Sequence, residues 1–283
     1  MTAPLSLWAG GGLLLLLILA TLAGPMMLPD PEAMDLAVRL GSPSTDHLLG
    51  TDELGRDIAA RLVQGGQVSL VVAALTATLA ALFGTVIGLL SGYYGGPLDS
   101  ALMRLTDGVM ALPLLPLLII LAAADPAQLG MPPDIATSEP VAVARLAVII
   151  ACVSWTGVAR LVRGSTLSTR ARDHVRAAEA LGAGPVRVMV RHILPDVASP
   201  VVVAATLSVG HVILIESALS FLGLGLRPPL ASWGNMLTGA MDVVWTAPAM
   251  AIWPGAAIFA TVLAFNLLGE GLQQRLSPDL CRR

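Results

Sequence analysis

The chain has 283 residues, of which 55% are hydrophobic and only 12% charged, and its mean hydropathy is +0.80, too apolar for a water-soluble domain of that length. All sixteen basic residues are Arg, so no lysine is present to act as the phosphate ligand of a Walker A loop, a Schiff base or a general base. The net charge of −3, divided between two faces of a membrane, gives no reason to expect a nucleic-acid partner.

A hydrocarbon core of about 30 Å takes roughly 20 apolar residues as a helix. Six such spans are expected in chain order: Leu5 to Gly24, Val68 to Gly92, Ala101 to Ala124, Val141 to Val162, Val197 to Leu222 and Ala247 to Leu268. The first has the length of a secretory signal, but no basic residue precedes Arg39, so an uncleaved span is expected. Residues 25 to 66 are polar and acidic on balance, with Asp30, Glu32, Asp35, Asp46, Asp52, Glu53 and Asp57 against Arg39, Arg56 and Arg61. Within them Thr51, Asp52, Gly55, Arg56 and Asp57 form a compact cluster. Thr51 or Asp52 is placed to cap a helix entering the second span, and Arg56 either braces that helix or meets a partner protein.

Pro113 and Pro116 are expected to kink the third span, since each removes a backbone donor. Between the fourth and fifth spans, Arg160, Arg163, Arg170, Arg172, Arg176, Arg187 and Arg191 are seven of the sixteen basic residues, which makes that loop cytoplasmic by the positive-inside rule. Counting spans outward from it puts both termini inside, in keeping with Arg275, Arg282 and Arg283, and the acidic segment outside. The reading is one membrane domain, in which residues 1–66 supply an N-terminal span with an extracytoplasmic segment and residues 67–283 a five-helix core.

His211 and Glu216 lie in the fifth span, where an ionisable group is a functional hypothesis by default. Five residues apart, they stand about 140° from each other on a helix. Each either lines a pathway or pairs with a neighbouring helix. Direct nickel ligation by His211 has little support, because His47, His174, His192 and His211 are scattered and cannot cluster as ligands. Cys152, inside an apolar span, and Cys281, at the polar end, suggest neither a disulfide framework nor a thiolate metal cluster. The Gly and Pro run from Gly223 to Pro229 ends the fifth span and turns the chain toward Trp233, whose indole suits the membrane interface.

Residues 170 to 195, RARDHVRAAEALGAGPVRVMVRHILP, read as a helical segment, a Gly-x-Gly-Pro turn and a second short helix stopping near Pro195. Ala177, Ala178 and Ala180 leave a narrow surface that a partner can approach closely. Gly182 and Gly184 permit backbone conformations that a Cβ forbids. An Arg-rich amphipathic loop also serves as a plain topology determinant or an anionic-lipid contact.

A resemblance shifts the weight toward docking. The segment resembles the cytoplasmic signature loop of ABC importer permeases, in which Glu-Ala-Ala is followed by Gly four residues beyond the last Ala and later by Leu-Pro. Arg176, Ala177, Ala178, Gly182, Leu194 and Pro195 occupy those positions; Arg176 replaces the Glu and His192 the usual aliphatic residue. HLLGTDELGRDIAARLVQGG (residues 47–66), GYYGGPLDSALMRLTD (92–107), SALSFLGLGLRPPLASWGNML (217–237) and AFNLLGEGLQQRLSPDL (264–280) are similar to segments of the dipeptide, oligopeptide and nickel permeases, in the family's order.

The resemblance implies an all-α, type I ABC importer transmembrane domain in the bacterial inner membrane, similar to the second permease subunit of such systems. It also implies the partners: a homologous permease, two cytoplasmic ATPases that bind ATP and Mg, and an extracytoplasmic binding protein, all around a chain in membrane lipid that holds no cofactor of its own. The chain would be a non-catalytic subunit moving peptides, or alternatively nickel or a metal chelate. Its ATPase-coupling residues would be His174, Val175, Arg176, Ala177, Ala178, Glu179, Ala180, Leu181, Gly182, Ala183 and Gly184. Two readings of other kinds leave that spacing unexplained. One is an ion-coupled secondary transporter with Glu216 as its proton site; the other is an intramembrane enzyme, for which no nucleophile and base stand at a telling spacing.

Overall fold

The computed structural model describes residues 5–124, 130–132, 135 and 138–276. Cys281, Arg282, Arg283 and the last four residues of the 264–280 segment lie outside the described residues. Among the described residues no strand forms, and the sole bridge pairs Thr51 with Asp57. The helices are α1 (Leu5–Ala23), α2 (Ile58–Tyr94), α3 (Gly96–Ala111), α4 (Leu114–Ala123), α5 (Glu139–Arg170), α6 (Asp173–Ala180), α7 (Pro185–Val188), α8 (Leu194–Phe221), α9 (Trp233–Ala240) and α10 (Ala249–Leu276). Five helical stretches are long and apolar enough to cross a membrane, and α3 with α4 makes a sixth if that pair is one span.

The second span begins at Ile58 and not at Val68, so residues 66 and 67 lie within one continuous helix. Its cap is Asp57, whose carboxylate accepts from the Ala60 N–H at 2.7 Å, and neither of the expected residues takes that place. Thr51 instead donates to the Val38 carbonyl and accepts from Gly41 N–H at 2.8 Å. Asp52 takes the N–H groups of Leu54 and Arg56, both at 2.9 Å, and the Arg56 side chain through Nε at 2.7 Å.

The third span is broken, not merely kinked. α3 and α4 meet at 90°, with Leu112 and Pro113 both extended between them. Proline pushes the residue before it out of helical conformation, which ends α3. Pro116 sits in the first turn of α4, where its missing N–H would have had no helical partner, so it adds no second bend.

α2 and α5 pack backbone to backbone. A Cβ built on Gly84 would lie 2.7 Å from the Trp155 carbonyl oxygen, one on Gly88 2.6 Å from that of Ala159, and one on Gly92 2.9 Å from that of Arg163. Four-residue spacing keeps the three glycines on one face. Thr76 of α2 adds a hydrogen bond to the Ala147 carbonyl of α5 at 3.2 Å. α1 packs on α10 in the same manner, since a Cβ on Gly10 would meet Leu268 N at 2.5 Å and one on Gly271 the Leu7 backbone at 2.6 Å. Exposed Leu15, Leu19, Phe83, Val86, Ile252 and Phe259 give these helices apolar outer faces suited to lipid.

Trp233, the first residue of α9, is buried against α2, and its indole N–H donates to the Leu62 carbonyl at 3.0 Å. It is a core residue and not an interfacial one, because close approach at Gly65 and Gly66 opens space for the ring. Gly88→Leu is expected to lower the thermal midpoint of the purified protein sharply or prevent its accumulation, at a cost of about 3 kcal/mol or more. Gly157→Ala, on an open face of α5, should be neutral or raise that midpoint slightly, as fluorescence-detected melting in detergent will report.

Candidate functional site

The Arg-rich loop leaves α5 at Arg170 and forms α6, whose two inward residues are three apart. Val175 is wholly buried and Ala178 only 8% exposed. Val175 enters a cluster with Leu89 and Tyr93 of α2, Val158 and Val162 of α5, and Val188 and Ile193 downstream. His174, Arg176, Ala177, Ala180 and Leu181 face outward, Leu181 at 89% exposure, with Val186 beside the turn also exposed. Ala178 therefore belongs to the internal face, and Ala177, Ala180 and Leu181 make the narrow apolar surface.

Gly182 ends α6 in the left-handed region, at φ +83°. Its N–H bonds to the Glu179 carbonyl, and the Ala183 N–H to that of Ala178, each at 3.0 Å. This is a Schellman cap, and only Gly adopts its C′ conformation without strain. Gly184 differs from the expectation: its φ is −67°, open to any residue, and space for a Cβ is free. The second short helix does not stop at Pro195 either. It continues through a π-turn, Met189–Ile193, into α8 as one helical run, and Pro195, which has no N–H to donate back into the preceding turn, follows directly after that irregular turn.

Four contacts hold the loop and the end of α5 against the bundle. The Tyr93 hydroxyl donates to Glu179 Oε1 at 3.0 Å, and the Arg170 guanidinium lies 5.3 Å above the Tyr93 ring. Arg172 Nη1 reaches Asp196 Oδ2 at 2.8 Å, with His174 Nε2 at 3.6 Å from the same oxygen. Nearby, Arg163 grips Asp99 with two bonds of 2.6 Å and Arg160 pairs with Asp107 at 2.5 Å, so these two Arg of α5 brace α3. Tyr93, Asp99 and Asp196 carry no spacing signal toward residues dozens of positions away. The 92–107 segment marks two of them only as part of a family-like stretch.

Within α8, His211 and Glu216 do not meet. Glu216 is wholly buried and accepts hydrogen bonds from Ser220 at 2.8 Å, Ser69 at 3.0 Å and, more weakly, Ser217 at 3.5 Å. Ser69 also receives the Trp233 N–H at 3.4 Å, so the carboxyl joins α2, α8 and the start of α9. His211 stands on an exposed face with no hydrogen bond among the described residues. Among the described residues no group of three or more His, Cys, Asp or Glu could hold a metal ion. Glu216→Gln should keep the protein folded with a melting midpoint close to the parent's, since serine hydroxyls can turn to serve an amide. Glu216→Leu should destabilise it by about 2 kcal/mol or more by orphaning Ser69 and Ser220, as melting midpoints of both variants will show.

The profile of the family described as "Binding-protein-dependent transport system inner membrane component" matches residues 84–281. The nickel transport system permease protein NikC of Escherichia coli K12 is 40% identical over 94% of this chain and 91% of its own length. The glutathione transport system permease protein GsiD of Pectobacterium atrosepticum is 40% identical over 96% and 86%. The dipeptide transport system permease protein DppC of Alkalihalophilus pseudofirmus is 39% identical over 86% and 75%. Among solved structures, one described as an amino acid ABC transporter crystallised with histidines covers 76% of this chain and is covered over 94% of its own, with a TM-score of 0.54 at 20% identity, which speaks to fold alone. With the profile running from the last turns of α2 through the 174–184 loop to the end of α10, and relatives about 40% identical over nearly the whole chain, the chain belongs to the inner-membrane permease components of ABC importers, in the branch that contains the peptide and nickel permeases.

Proposed function

We propose that this multi-pass permease forms one half of a translocation pathway, paired with a homologous permease and driven by two cytoplasmic ATPase subunits that bind ATP and Mg. An extracytoplasmic binding protein delivers the solute, and α6 with its turn, residues 174 to 184, is the element that docks on an ATPase. The single observation that carries this reading is the construction of the loop. One face of α6 is locked into the bundle by Val175, Ala178 and Glu179, while Ala177, Ala180 and Leu181 stand ready for a partner. A helix so anchored moves as a body with α2 and α5, as a rigid-body coupling device requires.

Both termini are placed on the ATPase side, with the acidic segment opposite. The absence of lysine supports the division of labour, since this chain cannot form a standard Walker A site. Peptides are the first substrate class, supported by relatives named for dipeptide and glutathione transport; nickel or its chelate is the second, supported by NikC.

The test is reconstitution with the partner permease, ATPases and binding protein, reading uptake and substrate-stimulated ATP hydrolysis together. Gly182→Val strains the turn by about 1 to 3 kcal/mol, and Leu181→Asp places a charge on the docking face. Both should leave the chain inserted and the solute uptake reduced by about tenfold or more. Ala178→Asp is a poorer probe because it disturbs the anchoring face. Normal coupled transport in both Gly182→Val and Leu181→Asp would overturn the assignment.

A further inference from the structure

At the acidic end of the bundle a cleft of 710 Å³ opens between the 52–61 segment, the loop after α8 and the helix α9. Three guanidiniums, Arg56, Arg61 and Arg227, line it together with two carboxylates, Asp52 and Glu53. Asp52 is fully engaged: one oxygen takes two backbone N–H groups, and the other faces Arg56 Nε at 2.7 Å and Arg61 Nε at 3.5 Å. Glu53 has no ion pair within 4.0 Å among the described residues, and neither has Arg227. Among the residues that line the cleft, guanidiniums therefore outnumber carboxylates by one, with Glu32 also acting on Arg61 from outside the lining.

The position of Arg61 makes that excess specific. The residue is only 4% exposed, yet its Nη1 has no hydrogen-bond partner among the described residues. A buried guanidinium donor left unpaired is costly, and an incoming carboxylate supplies two acceptor oxygens to a planar fork built to receive them. The rest of the wall combines apolar Leu54, Ile58, Leu226, Met236 and Met250 with polar Ser220, Asn235 and Thr238. The volume is that of a small-molecule site, in which apolar walls bind the body of a ligand and a few polar groups orient it.

We propose that this cleft is a solute site, in which Arg61, helped by Arg227, binds the free carboxylate of a short peptide or similar small organic acid while its apolar remainder lies on the Leu226 and Met236 wall. The role as an entry site on the outer face rests on the importer reading above; the binding itself does not. A carboxylate here also completes the hydrogen bonding of the first turn of α2, so occupancy at the outer end bears on the helix that reaches the docking loop at the other.

The probe is the dipeptide alanyl-phenylalanine and its C-terminal amide, measured by equilibrium binding to the full chain co-purified with its partner permease in nanodiscs, without ATPases or ATP. The acid should bind at least about tenfold more tightly than the amide. Arg61→Gln should reduce that preference to about twofold or less, and Arg227→Gln, at an exposed position whose loss leaves the fold intact, should reduce it by about threefold. Equal binding of acid and amide by the unaltered pair overturns the proposal without needing any variant. So does an undiminished preference in Arg61→Gln. Failure of alanyl-phenylalanine to bind, coupled with weaker association of the binding protein to Arg61→Gln, would make the residue a protein-docking contact and also overturn it. Because the measurement omits the ATPases, its outcome is independent of whether uptake is coupled to ATP hydrolysis.

Discussion

Backbone contact between α2 and α5 is the constraint on which the other features rest. In lipid, apolar side chains gain nothing by leaving the hydrocarbon for one another, so helices associate through close packing and buried polar bonds. Gly84, Gly88 and Gly92 bring the two backbones together. The contact also fixes the rotation of α2, since a helix locked along one face presents its other side chains in fixed directions. The same logic joins α1 to α10 through Gly10 and Gly271, giving the bundle a second close backbone seam.

α2 has 37 residues and so a length of about 55 Å, more than the roughly 30 Å of hydrocarbon it must cross. Its outer turn holds Asp57 and Arg61 beside the cleft, its middle offers Ser69 to Glu216, and its inner end presents Tyr93 to Glu179 of α6. One continuous helix thus touches the acidic end, the polar centre and the docking loop. The proposed solute site and the proposed ATPase-facing loop would need no separate wire between them if α2 moves as a rigid element.

Much of this was legible in the sequence wherever the signal is local or periodic. Hydropathy located the spans, and the run from Asp173 to Gly184 announced a short helix and its glycine turn, because a helix and its cap occupy consecutive residues. Partners distant in sequence were another matter. Glu216 was a candidate pathway residue from its charge alone, yet it is tied to Ser69 of α2 as well as to Ser217 and Ser220 of its own helix, and only the packed bundle brings Ser69 there. Trp233 looked interfacial by residue type, whereas the space left at Gly65 and Gly66 encloses it. The break at Pro113 exceeded a kink because the restriction on Leu112 adds to the lost N–H. Gly184 shows the converse limit: glycine alone does not imply a left-handed turn, and of the two loop glycines only Gly182 has one.

The central claim is that α6 presents Ala177, Ala180 and Leu181 to an ATPase on the cytoplasmic side while its other face is held by the bundle. Site-directed cross-linking from Leu181→Cys, with Cys152 and Cys281 replaced by Ala, tests it most directly in the assembled transporter. A short bifunctional reagent should link position 181 to an ATPase subunit, and a membrane-impermeant thiol reagent applied outside intact cells should leave it unmodified. Modification from outside, or a link only to the binding protein, would contradict both the orientation of the chain and the role of the loop.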